Sequence, residues 1–231
     1  MKFLPVWIAF SGCSLFIGSA TGQVTSTHNS YLMRLKLTNK SSYNYILTSS
    51  AEGVKLVSPL KFTYSDVKGD IADVEVVSGP SNINGVVQGQ ATTSKAKLNS
   101  QGKPLGKVTD ALGSIAGIIF PLKPMKVGET LIQTLPVNFG GQLVKVTTIH
   151  KFLGERKVGP RKAIAFKVAI SGTGSIKMEG ATSSFVVNGT GSKFFDYADG
   201  HLISSNLTQT IDTKSKDHKM TTTNVVEIIR K

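Results

Sequence analysis

The chain has one cysteine, Cys13, among 231 residues, so no internal disulfide can form and no cysteine cluster can hold a metal. Histidine is almost as scarce. His28, His150, His201 and His218 lie far apart, with no H-E-x-x-H and no i, i+4 pair, which excludes the common zinc-hydrolase signature. No G-x-S-x-G elbow is present, and Ser58-Pro59-Leu60-Lys61 and Ser94-Lys95-Ala96-Lys97 match S-x-x-K without companion motifs. Acidic residues number only 14. Asp66, Asp70 and Asp73 form one cluster, but their spacing does not fit a calcium loop. Neither a cofactor nor a metal is implied, and no catalytic residue can be named.

Long apolar runs are missing too, with one exception. Met1-Lys2 precedes a largely apolar stretch, Phe3 to Gly18, that ends in the small residues Gly18-Ser19-Ala20. This layout predicts a signal peptide over residues 1–20 and an exported, periplasmic or extracellular bacterial protein. Two alternatives stay open: lipidation at Cys13, within Phe10-Ser11-Gly12-Cys13, which would anchor the chain in the envelope, and an uncleaved anchor. The anchor has to contend with Pro5, Ser11, Gly12 and Ser14 inside a run shorter than the roughly 20 residues a span needs.

What the chain has in excess is lysine. The net charge is +13, or +12 once Lys2 leaves with residues 1–20, and 23 of the 27 cationic residues are Lys. Arginine supplies the fixed fork of phosphate and base recognition, whereas lysine mostly solvates a surface. Aromatic residues do not interleave with the lysine groups, so nucleic acid is not an expected partner. An anionic envelope surface, of lipid head groups or acidic polysaccharide, is the partner this charge favours.

Alternation with period two dominates the remainder. Tyr31, Met33, Leu35 and Leu37 alternate with Arg34, Lys36 and Thr38; Val144, Val146, Thr148, His150 and Phe152 with Lys145 and Lys151; and Ile164, Phe166, Val168 and Ile170 with Ala163, Ala165 and Lys167. Such patterns predict antiparallel strands with one buried and one wet face. Further strands are expected near 43–47, 60–65, 72–78, 84–91, 130–137, 173–179, 182–188, 190–196, 201–212 and 219–230. Asp196-Tyr197-Ala198-Asp199-Gly200 is the clearest hairpin, with His201 expected to be exposed beyond it. Gly172, Gly174, Gly189 and Gly191 fall inside strand-like segments and predict bends. Between Pro104 and Pro121, Leu105, Val108, Leu112, Ile115, Ala116 and Ile119 recur at helical spacing and predict a helix near 105–119.

Residues 21–231 are thus expected to form a single β-rich domain. Its fold class is mainly β: one strongly curved, half-barrel-like antiparallel sheet of about 11 or 12 strands, with one helix against the concave face. If that concavity holds a lipid or other amphipathic ligand, Leu35, Leu37, Ile115, Ile119, Val146, Phe166 and Val168 would line it. The same residues could equally form an ordinary core. Three functions follow: a non-enzymatic carrier of an apolar ligand, an interaction protein using a basic face or a sheet edge, and, least favoured, a hydrolase assembled from distant residues. The oligomeric state is not specified.

Two stretches resemble a known family. Phe120-Pro121-Leu122-Lys123-Pro124-Met125-Lys126-Val127-Gly128-Glu129-Thr130-Leu131 resembles the P-x-K-P-V-K-V-G-D-x-W stretch of an uncharacterised family of secreted bacterial β-sheet proteins. Gly189 to Leu202 is similar to that family's G-x-G-x-x-x-F-D-x-x-x-G-x-L hairpin, in the same chain order. Leu131 stands where the family usually has tryptophan. The resemblance implies a β-sheet fold and brings no catalytic residues. By architecture alone, the expected fold is also similar to the half-barrel of periplasmic lipoprotein carriers, which hold acyl chains between sheet and helix.

Overall fold

A computed structural model describes residues 24–27, 29–106, 118–139, 142–178, 181–214 and 219–231. The expected signal peptide, Cys13 and most of the expected helix, with Ile115, lie outside them.

The described residues form sixteen strands, and all pairings among them are antiparallel. In chain order they are β1 (Thr25–Thr27), β2 (Ser30–Leu32), β3 (Ser42–Ala51), β4 (Val54–Lys68), β5 (Ile71–Ser78), β6 (Ser81–Ile83), β7 (Val86–Gln88) and β8 (Thr92–Asn99). They continue as β9 (Pro104–Leu105), β10 (Met125–Lys126), β11 (Thr130–Phe139), β12 (Gln142–Val158), β13 (Arg161–Met178), β14 (Ala181–Asp196), β15 (Leu202–Lys214) and β16 (Lys219–Arg230). Thirteen of them make one open sheet in the order β11-β12-β13-β14-β15-β16-β3-β4-β5-β8-β9, with β6 and β7 a side hairpin on β4. Two meanders, β11 to β16 and β3 to β9, meet at the β16–β3 seam. The remaining strands, β1, β2 and β10, form a small separate sheet.

Alternation sorts the large sheet into two faces. Directly opposed residues share a face, so the row Phe152, Phe166, Lys193, Ser205, Ile228, Leu47, Ser58 runs across seven strands on the inward side. Tyr45, Leu60, Phe62, Tyr64, Val74 and Val76 extend it into one core. A chain of rings holds the middle: Phe152 to Phe166 at 5.4 Å between centroids, Phe166 to Phe195 at 5.9 Å, and Phe195 to Phe120 at 5.2 Å. From the small sheet, Tyr31 packs edge-on against Phe152 at 5.1 Å.

Several expectations need correction. The alternation over Tyr31–Thr38 is real, with Met33, Leu35 and Leu37 buried, but only Ser30–Leu32 is a strand. Met33 to Thr38 is a strap lying across the inward face. Its backbone bonds go to loops instead of a ladder: Leu35 N–H donates to Ser100 C=O and Lys36 N–H to Asp199 C=O, both at 2.7 Å. Burying three aliphatic side chains at about 2 kcal/mol each replaces what a ladder would contribute.

Among the described residues there is no helix. The start of the expected helix is strand β9, where Leu105 pairs with Lys97, and residues 118–120 are irregular. Pro104 fits the edge strand because an edge leaves one row of donors unused. The segment 84–91 is not one strand. Asn84-Gly85, with φ of 49° and 91°, makes a tight turn between β6 and β7. The segments expected as separate strands at 163–170 and 173–179 fall, as far as Met178, in one strand, and residues 182–196 likewise lie in one. Gly191 explains the latter: a Cβ there would overlap the Asn206 carbonyl and come within 2.8 Å of the Leu207 Cα. Only glycine lets β14 and β15 approach so closely without interruption.

Candidate functional site

Most of the expected ligand-lining residues belong to the core itself. Leu35, Leu37, Phe166 and Val168 share the large cluster, and Phe166 is wholly buried. Val146 sits elsewhere, in a second cluster with Phe185, Val187 and Ile211. Ile119 is half-buried, its backbone bracketed by Gln133, which accepts from its N–H at 3.1 Å and donates to its C=O at 2.5 Å. The cavity beside Leu35, Phe62, Leu98, Ile118, Phe120 and Leu202 measures about 40 Å³. That is close to the ~30 Å³ share of one water molecule and far below the ~300 Å³ at which ligand pockets begin.

Beside this cavity is a buried polar cluster. The hairpin between β14 and β15 holds Asp196, Asp199 and His201, and Arg230 reaches them from β16. Asp196 accepts from Arg230 Nη2 at 2.5 Å, from Arg161 Nη1 at 3.1 Å and from the Ala198 N–H at 3.0 Å. Asp199 accepts from Arg230 Nη1 at 3.0 and 3.2 Å and from the His201 N–H at 2.8 Å. Burial, the larger influence, still pushes Asp199 up to about 6, although the His201 N–H and the nearby Arg161 and Lys36 charges favour its charged form.

His201 is 3% exposed rather than on the surface. Its Nε2 lies 3.0 Å from the Lys36 carbonyl, so Nε2 carries the proton and donates. Nδ1 then accepts from the Tyr64 hydroxyl at 3.5 Å. The ring stacks on Tyr43 at 3.9 Å. Burial lowers His201 to about 4 and raises Tyr43 to about 12.

Chemically, this cluster is saturated. Each carboxylate is bound by guanidinium and backbone donors, and His201 bridges a carbonyl and a hydroxyl. Nothing nucleophilic adjoins a free base. The arrangement fastens the hairpin to the strap. Tyr197, half-buried against the core, extends the fastening to the surface, with Lys162 Nζ 3.7 Å above its ring. Among the described residues no group of three or more His, Cys, Asp or Glu could hold a metal ion.

Sequence reasoning found Asp196 and Asp199 as turn residues but missed Arg230 and the burial of His201. A signal was present in the arginines, only four in a lysine-rich chain. Arg230 forks onto two carboxylates, Arg161 adds one bond to Asp196, and Arg34 donates to the carbonyls of Met33, Pro121 and Leu122 at 2.6, 2.7 and 3.1 Å. Lys193 departs from the general expectation that lysine solvates the surface, since it stands on the inward face between Phe166 and Ser205, half-buried.

The outward face differs in kind. An open groove of about 510 Å³ crosses β12 to β15, lined by Ile149, Ala169, Thr190 and Thr208 in one row and by Ser171 and Asn188 in the next. Short side chains at Ala169 and Ser171 make the depression. Comparison with models of protein families and with curated proteins finds no match to this chain.

Proposed function

We propose that this chain is an exported, non-enzymatic protein of the bacterial envelope or exterior that acts through its outward sheet surface. The observation that carries this reading is the close packing of the inward face among the described residues. Where a carrier would keep room for a ligand, the strap packs Met33, Leu35 and Leu37 onto the sheet, and the cavity beside Leu35 measures about 40 Å³. The saturated Asp–Arg–His cluster adds support, because its groups are already committed to one another. Half-barrel curvature of the sheet and kinship with the secreted β-sheet family belong to the same proposal.

A second reading, an apolar ligand held on the inward face, draws on the separate cluster of Phe185, Val187, Val146 and Ile211 away from the main core. The two readings part in one experiment. The protein is purified from its own envelope fraction and secreted medium, weighed by native mass spectrometry, then extracted for lipid. A bare protein with the mass of residues 21–231 is expected. A stoichiometric lipid would overturn the surface reading in favour of the carrier, and recovery only from the cytoplasm would remove export.

A further inference from the structure

The outward groove lies next to a charge arrangement that the fold leaves uncompensated. Lys151 and Lys167 stand directly opposite each other on β12 and β13, both exposed. Like charges placed so cost stability. Three lysines elsewhere on the sheet are paired, Lys97 with Asp73 at 2.5 Å, Lys95 with Glu75 at 3.2 Å and Lys162 with Glu155 at 2.8 Å, and the other opposed lysines, Lys157 with Lys162 and Lys214 with Lys219, stand at strand ends away from the groove. Among the described residues no carboxylate lies within ion-pair distance of Lys151, Lys167 or Lys145. The carboxylate nearest in that row, Glu227, is three strands beyond Lys167 and accepts from Asn206 at 2.9 Å.

The lysines bracket the groove. Lys151 and Lys167 are two residues along the strands from Ile149 and Ala169, about 7 Å. Lys145 lies beyond Ser171 on the other side. The floor between them crosses four strands, roughly 14 Å, and carries hydroxyls and an amide: Thr190, Thr208, Ser171 and Asn188. Ile132 and Ile149, opposed across β11 and β12 and both exposed, supply an apolar flank at one end.

We propose that this groove binds a linear anionic polysaccharide. Hydroxyl and amide side chains can donate to and accept from sugar hydroxyls, the isoleucines can meet the C–H faces of the rings, and ammonium groups on both sides match carboxylate or sulfate substituents. A flat membrane surface would use the lysines but not the recessed hydroxyls. Single-stranded nucleic acid would call for ring platforms, and the groove has none. The inference rests on the surface-acting reading above and names its partner.

The test is titration of the purified exported protein with polygalacturonate, with neutral dextran and phosphatidylglycerol vesicles alongside. Polygalacturonate is expected to bind in a salt-sensitive way and dextran not at all. The double variant Lys151→Gln/Lys167→Gln should weaken binding tenfold or more, and so should Ser171→Tyr, which fills the groove without removing charge. Thr208→Tyr serves if Ser171→Tyr fails to fold. Lys61→Gln/Lys103→Gln, with the same charge loss elsewhere, should change affinity less than twofold. Absence of polygalacturonate binding overturns the proposal. So does an equal loss in both lysine pairs with Ser171→Tyr unaffected, which would mean diffuse attraction, or binding confined to the vesicles, which would make the surface a membrane contact. Lipid-free protein that ignores polygalacturonate sinks the groove alone, whereas co-purified lipid sinks the reading beneath it.

Discussion

Two tight turns of this protein share a grammar and differ in consequence. Asn84-Gly85 joins β6 to β7, and Asp199-Gly200 lies between β14 and β15; both glycines have positive φ, 91° and 70°. Around Gly85 an added methyl would meet nothing within 4 Å. At Gly200 it would overlap the carbonyl oxygen of Arg34 and come within 3.3 Å of the Leu35 Cα. One turn merely reverses the chain in solvent. The other is wedged beneath the strap, with Asp199 C=O receiving Lys36 N–H and Asp196 N–H bonded to His201 C=O at 2.8 Å. A turn's conformational requirement is local, and its energetic weight is set by what packs on it.

Substitution should separate the two sharply. Gly200→Ala combines left-handed backbone strain, about 1 kcal/mol or more, with a backbone collision, and should cost ~3 kcal/mol or more in urea unfolding. A cost equal to that of Gly85→Ala would show that the strap shifts freely, and the contrast would vanish. Arg230→Ala removes the fork between two largely buried carboxylates and should cost about 3–5 kcal/mol. Arg230→Lys should recover only part of that, because one ammonium cannot span Asp196 and Asp199 together.

The pH dependence of His201 comes next. Its folded-state value, lowered to about 4, lies below the ordinary 6.5, so only the unfolded chain takes up the proton as pH falls. Its stabilising share is complete above pH 6.5 and is lost between about 6.5 and 4, reaching ~3 kcal/mol at the acid end. Asp199, raised to about 6, acts in the opposite sense over much of that window and offsets part of the loss. The difference between wild-type and His201→Gln stability profiles isolates the histidine. A flat difference from pH 7 to pH 4 would mean that His201 titrates normally. Smallest is Gly85→Ala, expected at about 1 kcal/mol, from backbone conformation alone.

Much of the fold was legible because alternation reports which face a residue takes. It reports nothing about whether the backbone finds a ladder, which is why Met33, Leu35 and Leu37 were placed correctly as buried and incorrectly as a strand. The glycines of β13 and β14 were read as bends, but Gly191 is required by the neighbouring strand rather than by its own, and it permits the continuity of β14. The ends of the stretch read as a helix depart from that spacing: Leu105 answers to its pairing with Lys97 and Ile119 lies in irregular backbone, while the body of the stretch is outside the described residues. The polar cluster was hidden for another reason. Asp196 and Arg230 are 34 residues apart and come together only because β15 and β16 intervene as a meander. Similarly, the groove depends on short side chains in four strands aligning in register, which no single stretch of sequence displays.

The seam between β16 and β3 has a kinetic consequence. Ser49 meets Asn224 across 175 residues, while every other pairing in the large sheet joins strands that are near neighbours along the chain. Each meander can zip locally, but joining them must bear the loop-closure entropy of most of the polypeptide. Until β16 has been made and docked, β3 shows a bare edge from Tyr45 to Ala51, open to a neighbouring molecule while the chain folds. The slow step of folding, and the moment of greatest exposure to aggregation, should therefore be the docking of β16 on β3.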